Sequence, residues 1–295
     1  MTIFRGIFAI LFIAANTFVW CIPIYLLALP RAVIPIAPVR ITIGAAMTRV
    51  IDAWVAGNRF MIKALDITRI RVSTRFAEPL DRKRWYVVIS NHQSWSDILV
   101  LQDTFLTLIP PLKFFVKQQL IWIPLLGLAM WLLGFPYVRR YSREALAKDP
   151  SLRRHDQEAT QAACEFFKQR PTSVLNFVEG TRFTPEKHAY QQSKYRNLLT
   201  PKTGGFGYVV GALGERIHQV LDVTIVYPDG TPSFWGFISG QCREVLVEIS
   251  SRPVPGTLLE VRDELPPDLR QELHEWVDEL WSTKDARIDQ LREVD

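Results

Sequence analysis

Cysteine is scarce in this chain: Cys21, Cys164 and Cys242 are the only three in 295 residues, and they lie far apart. That spacing offers no zinc knuckle and no even disulfide framework, so reduced thiols facing a reducing compartment are expected. Histidine is nearly as rare, with five. His155, His188, His218 and His274 show no ligand spacing and are read as surface or structural residues, so neither a metal nor a cofactor is expected. A G-x-S-x-G elbow is missing, which removes the usual signature of a serine acyl-enzyme. Internal repeats, low-complexity tracts and nucleic-acid recognition motifs are missing too, so nucleic acid is not an expected partner.

Long apolar runs, by contrast, are present. Gly6 to Leu29 is 24 residues without a charge, broken only by Asn16, Thr17 and Pro23. About 20 apolar residues suffice to cross a bilayer. A signal peptide is the competing reading, but Leu26-Leu27-Ala28-Leu29-Pro30 lacks a small-x-small cleavage site, so a retained anchor is expected. Pro35 and Pro38 are expected to break regular helix, and a second membrane-touching helix is expected near Ile41 to Val55. A spanning pair and a re-entrant hairpin both fit. Arg31, Arg40, Arg49, Arg59 and Lys63 flank the anchor, which places the body on the cytoplasmic side of a membrane. Residues 1–55 are thus read as the anchor and 56–295 as the catalytic domain. Leu120 to Val138 is a third uncharged run, of 19 residues. A lone span there would put the two main motifs described below on opposite sides of the membrane. It is therefore read as a core or interfacial helix, Gln118 to Leu133, followed by a strand around Phe135 to Arg139.

Charge is unevenly spread. Residues 256–295 carry 12 acids against 5 Lys or Arg, leaving 30 basic and 18 acidic residues in the rest. A basic body suits phosphates and anionic headgroups. Short β-branched runs at Trp85–Ser90, Lys113–Val116, Ser173–Val178, Leu221–Tyr227 and Val245–Ser250 alternate with helical stretches at Trp95–Phe105, Arg154–Gln169 and Phe206–Leu213. This alternation indicates an α/β fold, a mixed central sheet flanked by helices. From about residue 266 a C-terminal amphipathic helix follows, with Leu269, Leu273, Trp276, Val277, Leu280 and Trp281 on the face that packs against the body.

The chemistry centres on Asn91-His92-Gln93-Ser94-Trp95-Ser96-Asp97, directly after a strand. An imidazole can take a proton from an alcohol near neutral pH if it is held in one tautomer, and Asp97 is placed to hold it. Without a nucleophile elbow, the substrate's own hydroxyl is read as the nucleophile. A second block, Phe177-Val178-Glu179-Gly180-Thr181-Arg182, also leaves a strand. Arg182 offers a fork of donors to a phosphate, and Glu179 is expected to accept from a glycerol hydroxyl or to fix Arg182. A third, Gly134-Phe135-Pro136-Tyr137-Val138-Arg139-Arg140, ends in basic charge.

These blocks, N-H-x-S-x-x-D, G-x-x-Y-V-x-R and E-G-T-R in this order, resemble the glycerolipid acyltransferases, the 1-acylglycerol-3-phosphate (lysophosphatidate) acyltransferase family. The resemblance covers roughly Val87 to Pro228. Lys202-Thr203-Gly204-Gly205-Phe206 and Asp222-Val223-Thr224-Ile225-Val226-Tyr227 look nearest the lysocardiolipin and long-chain lysophosphatidate branch. One departure is that the family's fourth block usually carries a proline where this chain reads Val223-Thr224-Ile225-Val226. The resemblance implies an α/β acyltransferase fold behind an N-terminal membrane-embedded helical region. It implies a lysophospholipid acceptor and an acyl-CoA or acyl-carrier-protein donor. It assigns His92 as base, Asp97 as its orienter, and Arg140, Glu179, Gly180, Thr181 and Arg182 to the acceptor and its phosphate. Asn91, Ser94 and Lys202 support them.

Overall fold

The computed structural model describes residues 2–138, 165–259 and 266–293. Two helices open the chain, α1 (Thr2–Val33) and α2 (Ala37–Ala64), packed as a hairpin. The chain leaves helix only at residues 34–36, around Pro35. Pro38 does not break the helix as expected. It sits in the first turn of α2, where its missing N–H costs nothing. The amide of Asn16 ties the two helices together, donating to Trp54 O and Asn58 Oδ1 at 2.9 Å each. Gly57 allows this contact, because a Cβ there would stand 2.4 Å from Asn16 Oδ1.

The hairpin lies along the body. Ala9 joins the main core, Gly6 meets the ring of Trp235, and the Tyr25 hydroxyl donates to Leu125 O. The outer face of α1 is apolar and uncovered at Phe4, Phe8, Leu11, Phe18, Leu26 and Leu29. By length and composition, α1 is the one helix among the described residues able to cross a membrane.

The central sheet has six strands: β1 (Arg69–Arg75), β2 (Trp85–Ser90), β3 (Leu112–Phe114), β6 (Ser173–Asn176), β7 (Ile217–Val226) and β8 (Glu244–Arg252). Their order is β1-β8-β7-β2-β6-β3, with only the β7–β8 pair antiparallel. A separate two-stranded ladder joins β4 (Val116–Lys117) to β5 (Tyr137–Val138). Alternation along β2 sends Tyr86 and Val88 to one core and Val87 and Ile89 to the other, so both faces of the sheet are covered. The mixed α/β class expected from the alternation is the class observed.

Helix α3 (Asp97–Phe105) follows β2. The expected helix Gln118–Leu133 is instead a 3-10 turn (Gln118–Trp122) and a short α4 (Leu126–Leu132). Pro124 has no N–H to continue the first piece into the second. This segment packs Ala129 and Leu133 against the hairpin and exposes Trp122, Leu128 and Trp131, as an interfacial element would. The expected run Lys113–Val116 divides between two sheets. Much of the expected helix Arg154–Gln169 falls outside the described residues, as do Arg139, Cys164 and His155. Three short helices come next: α5 (Pro185–Gln191), α6 (Thr203–Leu213) and α7 (Phe234–Ile238).

The last helix, α8 (Pro267–Glu293), buries Leu273, Val277, Leu280, Trp281, Lys284 and Ile288 against the second core. Lys284 belongs to this face despite its charge. Its ammonium meets Asp222 Oδ1 at 2.5 Å and donates to Val223 O and Thr224 Oγ1.

Candidate active site

Strands β2 and β6 are parallel neighbours, with Ile89 opposite Asn176. Their C-terminal ends therefore deliver the His92 loop and the Glu179 turn to one edge of the sheet, where open α/β folds bind ligands. Asn91 fixes the first loop. It is fully buried, and its amide both donates to Ile225 O and accepts from Ile225 N at 2.8 Å. A side chain thus continues the β2–β7 ladder one step beyond Ser90.

His92 Nδ1 lies 2.8 Å from Asp97 Oδ2. The same oxygen accepts from the backbone N–H of Gln93 at 2.7 Å and of Ser94 at 3.0 Å, and Oδ1 accepts from the Tyr227 hydroxyl at 2.6 Å. Asp97 is fully buried, while His92 keeps 14% of its side chain exposed. With donors converging on both of its oxygens, Asp97 acts as the acceptor toward His92, which assigns the Nδ1–H to His92 and leaves Nε2 as acceptor. The Tyr227 hydroxyl is held neutral, its pKa well raised by burial and by Asp97. Phe177 stacks on the imidazole, with ring centroids 3.9 Å apart and planes 15° from parallel. The ring is therefore fixed in both plane and tautomer.

Glu179 sits elsewhere than a glycerol-binding role would put it. It is fully buried, and its two oxygens accept from the backbone N–H of His92 at 2.8 Å and of Leu199 at 2.9 Å. Burial pushes its pKa up to about 8, while those two donors pull the other way. Nor does it fix Arg182. That guanidinium lies 4.5 Å above the Trp95 ring. The Thr181 hydroxyl accepts from Lys187 Nζ at 2.8 Å. Gly180 turns with φ +69°, a left-handed conformation that favours glycine, and the Lys202 side chain lies over it. Ser94 Oγ donates to Pro232 O at 2.9 Å, tying the His92 loop to the loop after β7. Arg140 lies outside the described residues.

The backbone N–H groups of His92, Gln93, Ser94 and Ser96 are all committed inside the protein, so none of these four is turned toward an oxyanion. Tyr227, Phe177, Trp95 and Lys187 escaped the sequence reading. Tyr227 lies 130 residues from Asp97, so no local spacing signals it, although it closes the last β-branched run. Phe177 stands two residues before Glu179 in the second block and reads there as the end of a strand.

The Acyltransferase family model matches residues 71–228. The 1-acyl-sn-glycerol-3-phosphate acyltransferase 3 of Arabidopsis thaliana is 25% identical over 221 residues, 70% of this chain and 54% of its own. Lysocardiolipin acyltransferase 1 of Gallus gallus is 26% identical over 68% of this chain and 52% of its own. The mouse protein of that name is 24% identical over 98% of this chain and 74% of its own. The chain thus spans about half the length of the first two relatives. Among solved structures, the 1-acyl-sn-glycerophosphate acyltransferase PlsC of Thermotoga maritima superposes with TM-score 0.56 over 98% of both chains at 19% identity, so the two share a fold.

Proposed function

The chain belongs to the acyltransferase family, and from that premise we propose that it moves a fatty acyl group from a thioester to the free hydroxyl of a lysophospholipid. The acceptor we favour is 1-acylglycerol 3-phosphate, giving phosphatidic acid, with acyl-CoA or acyl-carrier protein as donor. One observation carries this reading: a histidine clamped through Nδ1 by a buried, fully hydrogen-bonded aspartate, with Nε2 left as proton acceptor.

His92 Nε2 takes the proton of the glycerol hydroxyl as that oxygen attacks the thioester carbonyl. The new C–O bond forms, the C–S bond breaks, and the proton on His92 passes to the departing thiolate. A thiolate leaves readily, so no separate strong acid is required. Arg182, held over the Trp95 ring at 4.5 Å, offers its guanidinium donors to the acceptor's phosphate. Lys202 and Arg140 supply further positive charge, the latter by its match to the family motif. Glu179 and Asn91 position the His92 loop. The apolar outer face of α1, with exposed Trp122 and Trp131, supports anchoring to a membrane, and the basic flank of α1 supports a site on its cytoplasmic face.

A second acceptor, lysocardiolipin, is favoured by the names of several relatives and by the Lys202–Phe206 stretch. Purified protein in detergent, given labelled acyl-CoA or acyl-carrier protein and a panel of lysolipids, decides among these. Phosphatidic acid as the main product, lost in His92→Ala, is the expected result. Free fatty acid alone means hydrolysis. No product from either donor would leave the protein a lipid-binding scaffold and end the catalytic reading.

A further inference from the structure

A second group of cations lies at the opposite edge of the sheet. Arg31 in α1, Lys113 on β3 and Arg170, just ahead of β6, line one recess beside α2, with the hydroxyls of Thr48 and Thr172 next to them. Strand β6 runs from this recess toward the Glu179 turn. The four residues of β6 put about 10 Å of backbone between the two places, at about 3.3 Å per strand residue.

Neutral acceptors place each cation. Lys113 is 8% exposed, its Nζ donates to Leu133 O at 2.6 Å, and it lies 4.4 Å over the Phe135 ring. Arg170 donates to Ile41 O at 3.0 Å, and Arg31 lies 5.3 Å over the Phe166 ring. No carboxylate lines the recess among the described residues, and Asp52, next to Ile51 on α2, is held by Arg82. The guanidinium also packs closely on α2: a Cβ on Gly44 would stand 2.1 Å from it, so a larger residue there would force the Arg170 side chain to shift. Three cations brought together out of bulk water repel one another, and the cost falls on the fold unless an anion joins them. Lys113 registers this: burial first, then Arg31 and Arg170, push its ammonium down to about 7.

We propose that this recess binds a phosphate group, gripped by Arg31, Lys113 and Arg170, on a ligand other than the one acylated at His92. The chemistry suits a free phosphate or the headgroup of an anionic phospholipid. Its location favours the lipid, since Arg31 lies in the last turn of the apolar helix, beside the exposed Leu29 and Val33.

The test uses the full-length protein in a zwitterionic detergent, with no acyl donor. Its thermal midpoint is followed against dihexanoyl phosphatidylglycerol, dihexanoyl phosphatidylcholine and sodium phosphate at matched ionic strength. The expected result is a saturable rise with phosphatidylglycerol that exceeds that with phosphatidylcholine. Arg170→Gln and Lys113→Met should each weaken it by about tenfold or more, as loss of a charge-assisted grip implies. Arg182→Ala should leave it within about twofold, which separates this recess from a headgroup held near His92. If Lys113→Met fails to fold, Arg31→Gln takes its place. Saturation by inorganic phosphate as well assigns a free-anion site and still supports the proposal. A response absent altogether, intact in Arg170→Gln and the second variant, or lost in Arg182→Ala, overturns it.

Discussion

Glu179 accepts the backbone N–H of His92 at 2.8 Å, across 87 residues of chain. Its other oxygen holds Leu199. The carboxylate is therefore a clip between the loop that carries the base and the segment before α6. Glu179→Ala leaves two N–H groups without their acceptor in a buried place, which costs on the order of 2–4 kcal/mol. Stability measured by denaturant unfolding should fall by that amount, and kcat should collapse because His92 loses its seat. A variant of normal stability with only a raised acceptor KM would return Glu179 to the substrate.

The same group makes stability depend on pH. Burial raises its folded pKa to about 8, above the ordinary carboxyl value near 4.3. Between those two values the folded state holds a proton that the unfolded chain has released. Its contribution to stability is thus fully present below about 4.3 and is lost as pH rises through about 8. The melting temperature of the wild type should decline over that window, and Glu179→Gln should flatten the decline. Identical pH profiles for the two proteins would show the carboxylate ionised throughout, with the backbone donors outweighing burial.

Tyr227 gives Asp97 its remaining donor, at 2.6 Å to Oδ1. Tyr227→Phe keeps the ring in the core and removes only that hydroxyl. Asp97 then holds His92 less firmly, and kcat should fall about tenfold, in line with a hydrogen bond to a charged group. Acceptor KM should change little, while stability should fall by about 1–3 kcal/mol because a buried carboxylate loses a donor. Steady-state kinetics on both proteins decides it, and an unchanged kcat would remove Tyr227 from the chain of contacts.

Much of this was legible in the sequence because it is local. Trp85–Ser90 is a strand with the bounds read from the sequence, and His92 and Asp97 face each other because the short loop after β2 brings Asp97 in at the first residue of α3. What was not legible depends on distant or unusual partners. Strand β1, Arg-Ile-Arg-Val-Ser-Thr-Arg, carries too little apolar character to read as a strand, and it forms because β8 offers an edge to pair with. Glu179 reads as a group for the acceptor hydroxyl or for Arg182, because nothing in its own block says that two backbone donors from elsewhere will bury it. The burial of Lys284 has no local signal for the same reason, since its partner Asp222 lies on the distant strand β7.

The outward face of α1 should set how the protein associates with bilayers. Phe8, Leu11 and Phe18 are exposed, whereas Ala9 on the same helix is buried in the core. Phe8→Ser, Leu11→Ser and Phe18→Ser together remove apolar contact worth about 1.5–3 kcal/mol per side chain when buried in lipid. Vesicle co-sedimentation should fall sharply while the melting temperature in detergent holds. Ala9→Ser alters a buried position and should show the reverse pattern. Unaltered sedimentation of the triple variant would place the membrane contact on another surface.

The pair between Lys284 and Asp222 separates a stabilising role from a merely tolerated one. Both side chains are at most 5% exposed, and their charged atoms are 2.5 Å apart. Burial lowers the pKa of Lys284, and Asp222 raises it again. Lys284→Met leaves the carboxylate in the core with Arg252, 3.7 Å away, as its remaining ion-pair partner among the described residues. Removing one partner of such a pair costs about 3–5 kcal/mol, because the other charge is stranded. Replacing both, as Lys284→Met with Asp222→Leu, removes the stranded charge and should recover most of that loss. The lysine ammonium also donates to Val223 O and Thr224 Oγ1 on β7, so the double variant still gives up two hydrogen bonds and should not exceed the wild type. Denaturant unfolding of the four proteins in the cycle reads the coupling directly. A double variant no better than Lys284→Met alone would mean that α8 is held by packing around Trp281 and Val277, with the ion pair contributing nothing of its own.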